Sequence, residues 1–147
     1  MGGWFARHLL AAGYTVIAHD LDPAKVDAIV AAGGKKVASP DQIAAQVDVI
    51  LLSLPNSKIV DDVVRNSLKL FENGRRGLIL LDVSTADPVM SKKLAAELAA
   101  NGIEMADCTV SGTSAMAKVK DTVFMFGGKK EIYEQCIPLF QIGRAHV

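Results

Sequence analysis

The chain has 147 residues, of which 50% are hydrophobic and 22% charged, and its formal net charge is zero. This length predicts one domain with its own core, and the composition is typical of globular rather than disordered proteins. The balanced charge argues against a nucleic-acid partner, which usually requires a basic excess or stripe. No apolar run approaches the roughly 20 residues that cross a bilayer, so no membrane segment is predicted. Cys108 and Cys136 match no metal spacing, so we expect buried thiols and no metal site.

Helical and strand patterns alternate along the whole chain. Asp22 and Asp87 are each followed by proline, a pair that suits an N-cap and the first position of a helix. In chain order, the patterns predict a helix over residues 4–12, a strand over Thr15–Ala18, a helix from Pro23 to Gly33, a short helix at Ser39–Pro40, a strand over Val49–Ser53, a helix from Asn56 to about Leu70, a strand over Leu78–Leu81, a helix from Pro88 to Asn101, a strand over Ile103–Ala106 and a last helix opening at Lys129–Lys130.

This alternation, with short connections, predicts an α/β fold with a doubly wound parallel sheet and helices on both faces. The unbroken aliphatic run Leu78–Leu81 supports parallel pairing, because strands buried on both faces are typical of parallel sheets. Ligands of such folds bind outside the carboxyl ends of the strands. The polar groups to examine are therefore Asp20, Leu54–Pro55, Asp82–Thr85 and Asp107–Thr113.

The chain begins where a dinucleotide-binding fold would already have completed its first strand and glycine-rich turn. Met1, Gly2 and Gly3 lead directly into the first predicted helix, as if Gly2 were the last glycine of a G-x-G-x-x-G turn. An ordinary start methionine followed by glycine is the alternative. Asp20 stands about 20 residues beyond that turn, where a carboxylate accepts from the ribose 2′-hydroxyl of a dinucleotide. From spacing alone, a capping or surface role for Asp20 is equally open.

Several stretches share the order and spacing of one known set of motifs: Met1–Gly2, Ala12–Val16 with Asp20, Leu54–Pro55, Asp82–Thr85 with Asp87–Pro88, and Asp107–Thr113 followed by Phe124–Gly128. They resemble the G-L-G-x-M-G turn, the L-P pair, the D-x-S-T-x-x-P segment and the D-A-P-V-S-G-G substrate motif of the β-hydroxyacid dehydrogenases. That family includes 3-hydroxyisobutyrate dehydrogenase and relatives of 6-phosphogluconate dehydrogenase. The resemblance runs from Met1 to about Phe140.

The resemblance implies a Rossmann-like domain that binds NAD, with NADP less favoured because a carboxylate at Asp20 repels a 2′-phosphate. The cofactor contacts that it implies are Gly2, Asp20, Leu54, Pro55 and Thr85. The substrate carboxylate would be bound through hydroxyl and backbone donors of Ser111, Gly112 and Thr113. Without the flanking motifs, these last three residues would indicate a plain turn.

Three positions depart from the family pattern. Thr109 replaces the usual proline, Thr113 replaces the second glycine, and Lys120 replaces a glycine common before the closing strand. Thr113 adds a methyl and a hydroxyl group to the pocket, so the identity of the hydroxyacid stays open.

No catalytic residue is assigned within this chain. The family's general acid/base is a lysine on a helix after the dinucleotide domain, and an all-helical domain then completes the cleft; the resemblance places both beyond Val147. Lys118 and Lys120 follow the substrate loop too closely to match that lysine. His8 and His19 are predicted to have structural or surface roles.

Residues 1–141 are therefore predicted to form an incomplete dinucleotide-binding domain that lacks its first strand. Residues 142–147 break the preceding helical pattern and look like a translated sequencing adapter, so we expect a non-native tail. Unpaired strand edges would leave such a fragment poorly stable and inactive alone. The cytoplasm is the default location, and an organelle stays open because the native amino terminus is expected to precede Met1.

The main functional hypothesis is hydride transfer between NAD and a short β-hydroxyacid, such as 3-hydroxyisobutyrate, by a parent enzyme that is expected to be a homo-oligomer. One alternative is an NADP-dependent reductase of the same fold. Another is a non-catalytic module that binds a dinucleotide, since fold alone does not imply function.

Overall fold

The computed structural model describes residues 1–146, and the side chains of residues 1–143. Its elements in chain order are α1 (Gly2–Ala11), α2 (Pro23–Ala31), a 3₁₀ turn (Pro40–Gln42), β1 (Val49–Leu52), α3 (Ser57–Asp62), a π-helical turn (Val63–Ser67), α4 (Leu70–Asn73), β2 (Ile79–Asp82), α5 (Pro88–Ala100), β3 (Glu104–Ser111), α6 (Ser114–Lys118), β4 (Val123–Gly127), α7 (Lys130–Phe140) and β5 (Arg144–His146).

The strands form one five-stranded sheet in the order β1-β2-β3-β4-β5. Strands β1, β2 and β3 run parallel, with Leu52 opposite Asp82 and Asp82 opposite Asp107. The predicted α/β sheet is thus confirmed. The expectation of purely parallel pairing is wrong at one place, because β3 and β4 are antiparallel. The link between them holds only the short helix α6, whereas a parallel pair needs a longer crossover.

Helices cover both faces of the sheet. On one face, Val60, Leu94 and Leu98 from α3 and α5 pack with Leu80 of β2. On the other, Phe5 of α1 and the buried residues of α7 pack against Leu81 and Phe124. Since neighbouring residues of β2 enter opposite cores, the strand is buried throughout, as its aliphatic run predicts.

The helix starts that the sequence predicts at Asp22 and Asp87 are confirmed. The Asp22 carboxylate accepts from the amide of Ala24 at 3.0 Å, and Pro23 is the first residue of α2. Asp87 accepts from the amide of Val89 at 2.8 Å ahead of Pro88. Each carboxylate replaces a hydrogen bond that the first turn of a helix cannot make within itself.

The predicted strand over Thr15–Ala18 does not form. Ile17 makes an isolated parallel bridge with Lys35, flanked by hydrogen bonds from Ala18 N to Lys35 O at 2.9 Å and from Lys35 N to Val16 O at 2.8 Å. Within residues 1–146 no strand lies beside this segment, and β1 pairs with β2 alone. A β-favouring composition makes a ladder only where a neighbour supplies the hydrogen bonds.

The predicted helix from Asn56 to Leu70 is interrupted. The amide of Leu68 bonds to the carbonyl of Val63 at 2.8 Å in a π-helical turn, and Lys69 then adopts a left-handed conformation, with φ of +50°, before α4 begins. Val60, Val64 and Leu68, which are spaced four residues apart, stay buried through this turn. The helical pattern of the sequence does not show where the wider turn falls.

Strand β3 is longer than the predicted run Ile103–Ala106 and ends at Ser111. Part of the predicted non-native tail has regular structure, because β5 pairs in parallel with β4 from residue 144 to 146. The domain boundary at residue 141 stays a prediction, and Val147 lies outside the described residues. Among residues 1–146, no helix has the length and apolarity that crossing a bilayer requires.

Candidate cofactor and substrate site

The carboxyl ends of β1, β2 and β3 lie side by side at one edge of the sheet. The chain leaves β1 towards Leu54 and Pro55, and leaves β2 towards Thr85. Ser111 is the last residue of β3. The parallel register therefore places three of the predicted site segments at one edge, where α/β folds bind ligands.

Ser84 joins these strand ends. Its hydroxyl accepts from the amide of Leu54 at 2.9 Å, and its own amide donates to Asp82 Oδ1 at 3.0 Å. Its carbonyl accepts from the hydroxyl of Thr109 at 3.2 Å. Ser84 is buried, while the neighbouring Thr85 is exposed. The interior hydrogen bonds of Ser84 thus join the turn that carries the exposed Thr85 to the half-buried Leu54 after β1.

Asp82 is a buried carboxyl at the end of β2, with 1% of its surface exposed. Burial raises the pKa of Asp82 above its ordinary range; the hydrogen bonds with Ser84 oppose this, and the nearby charge of Asp107 adds to it. Its Oδ2 atom has no hydrogen-bond partner among the described residues. A carboxyl in this environment favours its protonated form more than an exposed one does.

The amino terminus of α1 approaches the end of β1. A Cβ atom on Gly2 would lie 3.2 Å from Cβ of Ser53, so any side chain there would require a small shift of Ser53, whereas the space around Gly3 is open. Met1 provides no side-chain cap for this helix. The amides of Trp4 and Phe5 bond to the carbonyl of Met1, whereas those of Gly2 and Gly3 have no partner in the described part of the chain. These two amides are donors suited to an anion at the positive end of the helix dipole.

Asp20 follows the extended segment that ends at Ala18. Its Oδ1 atom accepts from the amide of Asp22 at 2.9 Å and lies 3.6 Å from Nζ of Lys25. The cap of α2 is Asp22, so the helix-capping alternative for Asp20 is wrong. The side chains of Lys25 and Asp20 are 67% and 42% exposed, so solvent screens the ion pair. No recorded contact joins Asp20 to the sheet edge within the described residues.

The predicted substrate loop leaves β3 through a glycine-specific position. Gly112 has φ of +142°, and a Cβ atom there would lie 2.8 Å from Cγ2 of Thr122. Thr113 has φ of −104° and caps α6, its hydroxyl accepting from the amide of Met116 at 3.3 Å. Glycine is therefore required at 112 and dispensable at 113. Ser111 and Thr113 are exposed.

Helix α6, which follows this loop, docks on α1. His8 Nε2 lies 2.8 Å from the carbonyl oxygen of Ala117, and the Lys118 ammonium lies 5.5 Å from the centre of the Trp4 ring. His8 thus has the structural role predicted for it. His19 is exposed.

Sequence reasoning placed Ser84 and Thr109 inside motifs without assigning either a role. The partners of Ser84 in other segments, Leu54 and Thr109, are distant in sequence, so local patterns do not reveal these hydrogen bonds. The aspartate two residues before Ser84 and before Thr109 is a local signal, because an aspartate side chain often accepts from the amide two residues later in a turn. Asp82 and Asp107 do so with the amides of Ser84 and Thr109.

The two cysteines are core residues, and Cys108 lies on β3 between Asp107 and Thr109. Both are fully buried and unpaired, as predicted. Burial raises the pKa of Cys108 to about 12, with smaller contributions from Asp107, Cys136 and Asp82. Such a thiol is a poor nucleophile at neutral pH. Within the described residues, no three His, Cys, Asp or Glu side chains cluster as metal ligands would.

The family model of the NAD-binding domain of 6-phosphogluconate dehydrogenase matches residues 1–146. The chain belongs to this NAD-binding domain family. A nicotinamide dinucleotide is therefore its cofactor class, and the resemblance inferred from the motifs is confirmed.

Curated relatives of this NAD-binding domain are dehydrogenases. The chain is 32% identical over 97% of its length to 2-(hydroxymethyl)glutarate dehydrogenase of Eubacterium barkeri, covering 47% of that protein. It is 34% identical over 96% of its length to NAD-dependent L-serine dehydrogenase of Pseudomonas aeruginosa, covering 47%. It is 33% identical over 89% of its length to mitochondrial 3-hydroxyisobutyrate dehydrogenase of Bos taurus, covering 39%. The chain thus spans less than half the length of these relatives.

Solved structures agree on the fold. The 3-hydroxyisobutyrate dehydrogenase of Mycobacterium tuberculosis, solved with L-serine, superposes with a TM-score of 0.92 at 23% identity, over 99% of this chain and 50% of that one. An imine reductase of Streptomyces aurantiacus superposes with a TM-score of 0.86 at 23% identity, over 98% of this chain and 50% of that one. At these identities the likeness establishes the Rossmann-like architecture alone.

Proposed function

We propose that the chain is the cofactor-binding domain of a dehydrogenase that oxidises a short β-hydroxyacid with NAD. The observation that carries this proposal is the edge at which Ser84 ties Leu54, Thr85 and the Thr109 strand together. This edge presents the segments assigned to cofactor and to substrate side by side. Membership of an NAD-binding family supplies the cofactor class.

The names of the three relatives suggest a narrower substrate class. L-Serine, 3-hydroxyisobutyrate and 2-(hydroxymethyl)glutarate all contain a primary alcohol and a carboxylate attached to one carbon. They differ in the third group on that carbon, which is an ammonium, a methyl or a carboxyethyl group. We therefore propose a 2-substituted 3-hydroxypropanoate as the substrate, oxidised at its primary alcohol to the aldehyde.

The predicted cofactor contacts would follow the dinucleotide from one end to the other. The free amides at the start of α1, near Gly2, would bind the pyrophosphate, and the carboxylate of Asp20 would accept from the adenosine ribose. Leu54, Pro55 and Thr85 would contact the nicotinamide end. The bound cofactor supplies the hydride acceptor.

The substrate side is built from donors. The hydroxyl groups of Ser111 and Thr113 and the backbone at Gly112 would bind the carboxylate, which needs hydrogen-bond donors. Thr113 keeps its hydroxyl hydrogen for this purpose, because its oxygen accepts from the amide of Met116. We assign no proton-transfer group to these 147 residues. A residue of the longer parent would take up the proton of the substrate hydroxyl group.

NAD is proposed over NADP on the strength of Asp20, whose exposed carboxylate repels a 2′-phosphate. The opposing observation is Lys25, whose ammonium lies 3.6 Å from that carboxylate and would attract a phosphate. Calorimetric titration of the chain with NAD and with NADP separates the two outcomes. We expect the unaltered chain to bind NAD more tightly.

Asp20→Ser should abolish this preference, shifting the ratio of the two dissociation constants by about tenfold, which corresponds to the ~1.4 kcal/mol of one charge contact. Asp22→Ser is the matched control, because it removes the same charge two residues away and leaves a serine that still caps α2. Equal effects of the two substitutions would reject the role of Asp20. Binding of neither dinucleotide by the unaltered chain, once urea denaturation shows that the chain is folded, would contradict the proposal itself.

A further inference from the structure

The parallel ladder between β2 and β3 ends at Asp82 and Asp107. Beyond this pair the two chains separate: β3 continues as far as Ser111 along β4, while the chain after β2 turns through Ser84 and Thr85. No further backbone pairing joins the two segments in the described part of the chain. The hydroxyl of Thr109 spans them, at 3.2 Å from the carbonyl oxygen of Ser84.

Thr109 is also held in place from its own strand. Oδ1 of Asp107 accepts from the Thr109 amide at 3.1 Å and lies 2.8 Å from the Thr109 hydroxyl. The hydroxyl therefore shares its one hydrogen in a three-centre hydrogen bond, with the carboxylate as the nearer acceptor and the Ser84 carbonyl oxygen as the farther one. This fork fixes the rotamer of Thr109 and keeps its oxygen over the Ser84 turn. The proline that stands here in the family pattern offers neither the amide nor the hydroxyl.

We propose that Thr109 is a positioning residue that couples the cofactor turn at Ser84–Thr85 to the substrate strand ending at Ser111. The proposal rests on the proposed function for the ligands at each end, but the link itself is a property of the chain. Movement of the turn when a dinucleotide contacts Thr85 is transmitted through the Thr109 hydroxyl to the strand. Ser111 is thereby set relative to the nicotinamide end of the cofactor.

The first arm of the test needs no ligand. Amide hydrogen exchange is followed by NMR at Leu54 and Ser84, whose amides donate to the Ser84 hydroxyl and to the Asp82 carboxylate, respectively. The amide of Leu80 serves as a reference for global unfolding. Thr109→Val removes the hydroxyl at nearly constant shape. Relative to Leu80, the exchange rates of the Leu54 and Ser84 amides should rise about three- to tenfold, which is the effect of one lost hydrogen bond.

Two variants make this result specific. Thr109→Ser retains the hydroxyl and should restore slow exchange. Thr122→Val is the matched control, because Thr122 is a fully buried threonine whose hydroxyl has no partner in the described residues and whose methyl contact valine retains. Unchanged exchange in Thr109→Val, or an equal rise in Thr122→Val, overturns the proposal.

The second arm adds NAD and follows the amide shifts of Thr85 and Ser111. In the unaltered chain both should move; in Thr109→Val the Thr85 shift should persist and most of the Ser111 shift should be lost, because the hydroxyl that links the two segments is absent. A Ser111 shift that survives in Thr109→Val overturns the coupling role. If Thr85 does not respond to NAD in the unaltered chain, the proposed function fails, and the exchange arm still decides whether Thr109 forms the link.

Discussion

Replacing Cys108 by alanine should change how the stability of the protein depends on alkaline pH. The Cys108 thiol has a pKa of about 12 in the folded chain, against an ordinary value of 9.0. Between these two values the unfolded chain has released the proton and the folded chain has kept it. The unfolded state then binds fewer protons, so the free energy of unfolding falls as the pH rises.

The size of the effect follows from the two pKa values. Each pKa unit corresponds to ~1.36 kcal/mol, so a folded value near 12 makes the loss between pH 8 and pH 10 about 1 kcal/mol. Below pH 8 the thiol is protonated in both states and contributes no slope. Burial also raises the pKa of Cys136, so its contribution has the same sign.

The assay is urea denaturation at several pH values from 7 to 10 under reducing conditions, comparing the unaltered chain with Cys108→Ala. The variant loses stability at every pH because it loses buried volume, and only the difference in slope reports the thiol. Above pH 8 the curve of the unaltered chain should fall more steeply. Parallel curves for the two proteins would refute the reasoning, because they would mean that Cys108 ionises equally in the folded and unfolded states.

Two further changes test local features of the fold by thermal or urea denaturation. Lys120 has φ of +59°, so Lys120→Gly should raise the free energy of unfolding by up to about 1 kcal/mol, and a loss of stability would contradict the strain assigned there. Asp87→Ala removes the cap of α5 and should lower stability by about 1 kcal/mol. Asp87→Asn serves as its control, since asparagine also caps well; equal losses in both variants would exclude capping as the cause.

Features encoded within a few residues were predictable from the sequence. Asp22 with Pro23, and Asp87 with Pro88, mark helix starts because the cap and the fixed proline φ act locally. The aliphatic run Leu78–Leu81 likewise predicted a strand that is buried on both faces.

Features that depend on distant neighbours were not predictable. Thr15–Ala18 has the composition of a strand but forms only a bridge, because no adjacent strand completes it within the described residues. The antiparallel direction of β4 follows from the length of the link that contains α6 rather than from the residues of β4.

The candidate site divides in the same way. Family motifs located Leu54, Thr85 and Ser111, and their roles as ligands stay predictions. Recognition of Ser84 as the residue that joins them required coordinates, because its partners Leu54 and Thr109 come from two other strand ends. The sequence shows that Thr109 and Lys120 depart from the family pattern. It does not show that Thr109 forms a hydrogen bond with Ser84 or that Lys120 has a left-handed backbone.

The contact between Trp4 and Lys118 makes the protein its own optical probe. Trp4 is the single tryptophan of the chain, and the centre of its ring lies 5.9 Å from the Arg7 guanidinium and 5.5 Å from the Lys118 ammonium. Its emission therefore reports one place, the junction of α1 with α6. Because α1 begins at the proposed pyrophosphate site and α6 follows the proposed substrate loop, a change at either ligand site that shifts these helices alters the fluorescence of this one indole, without any introduced label.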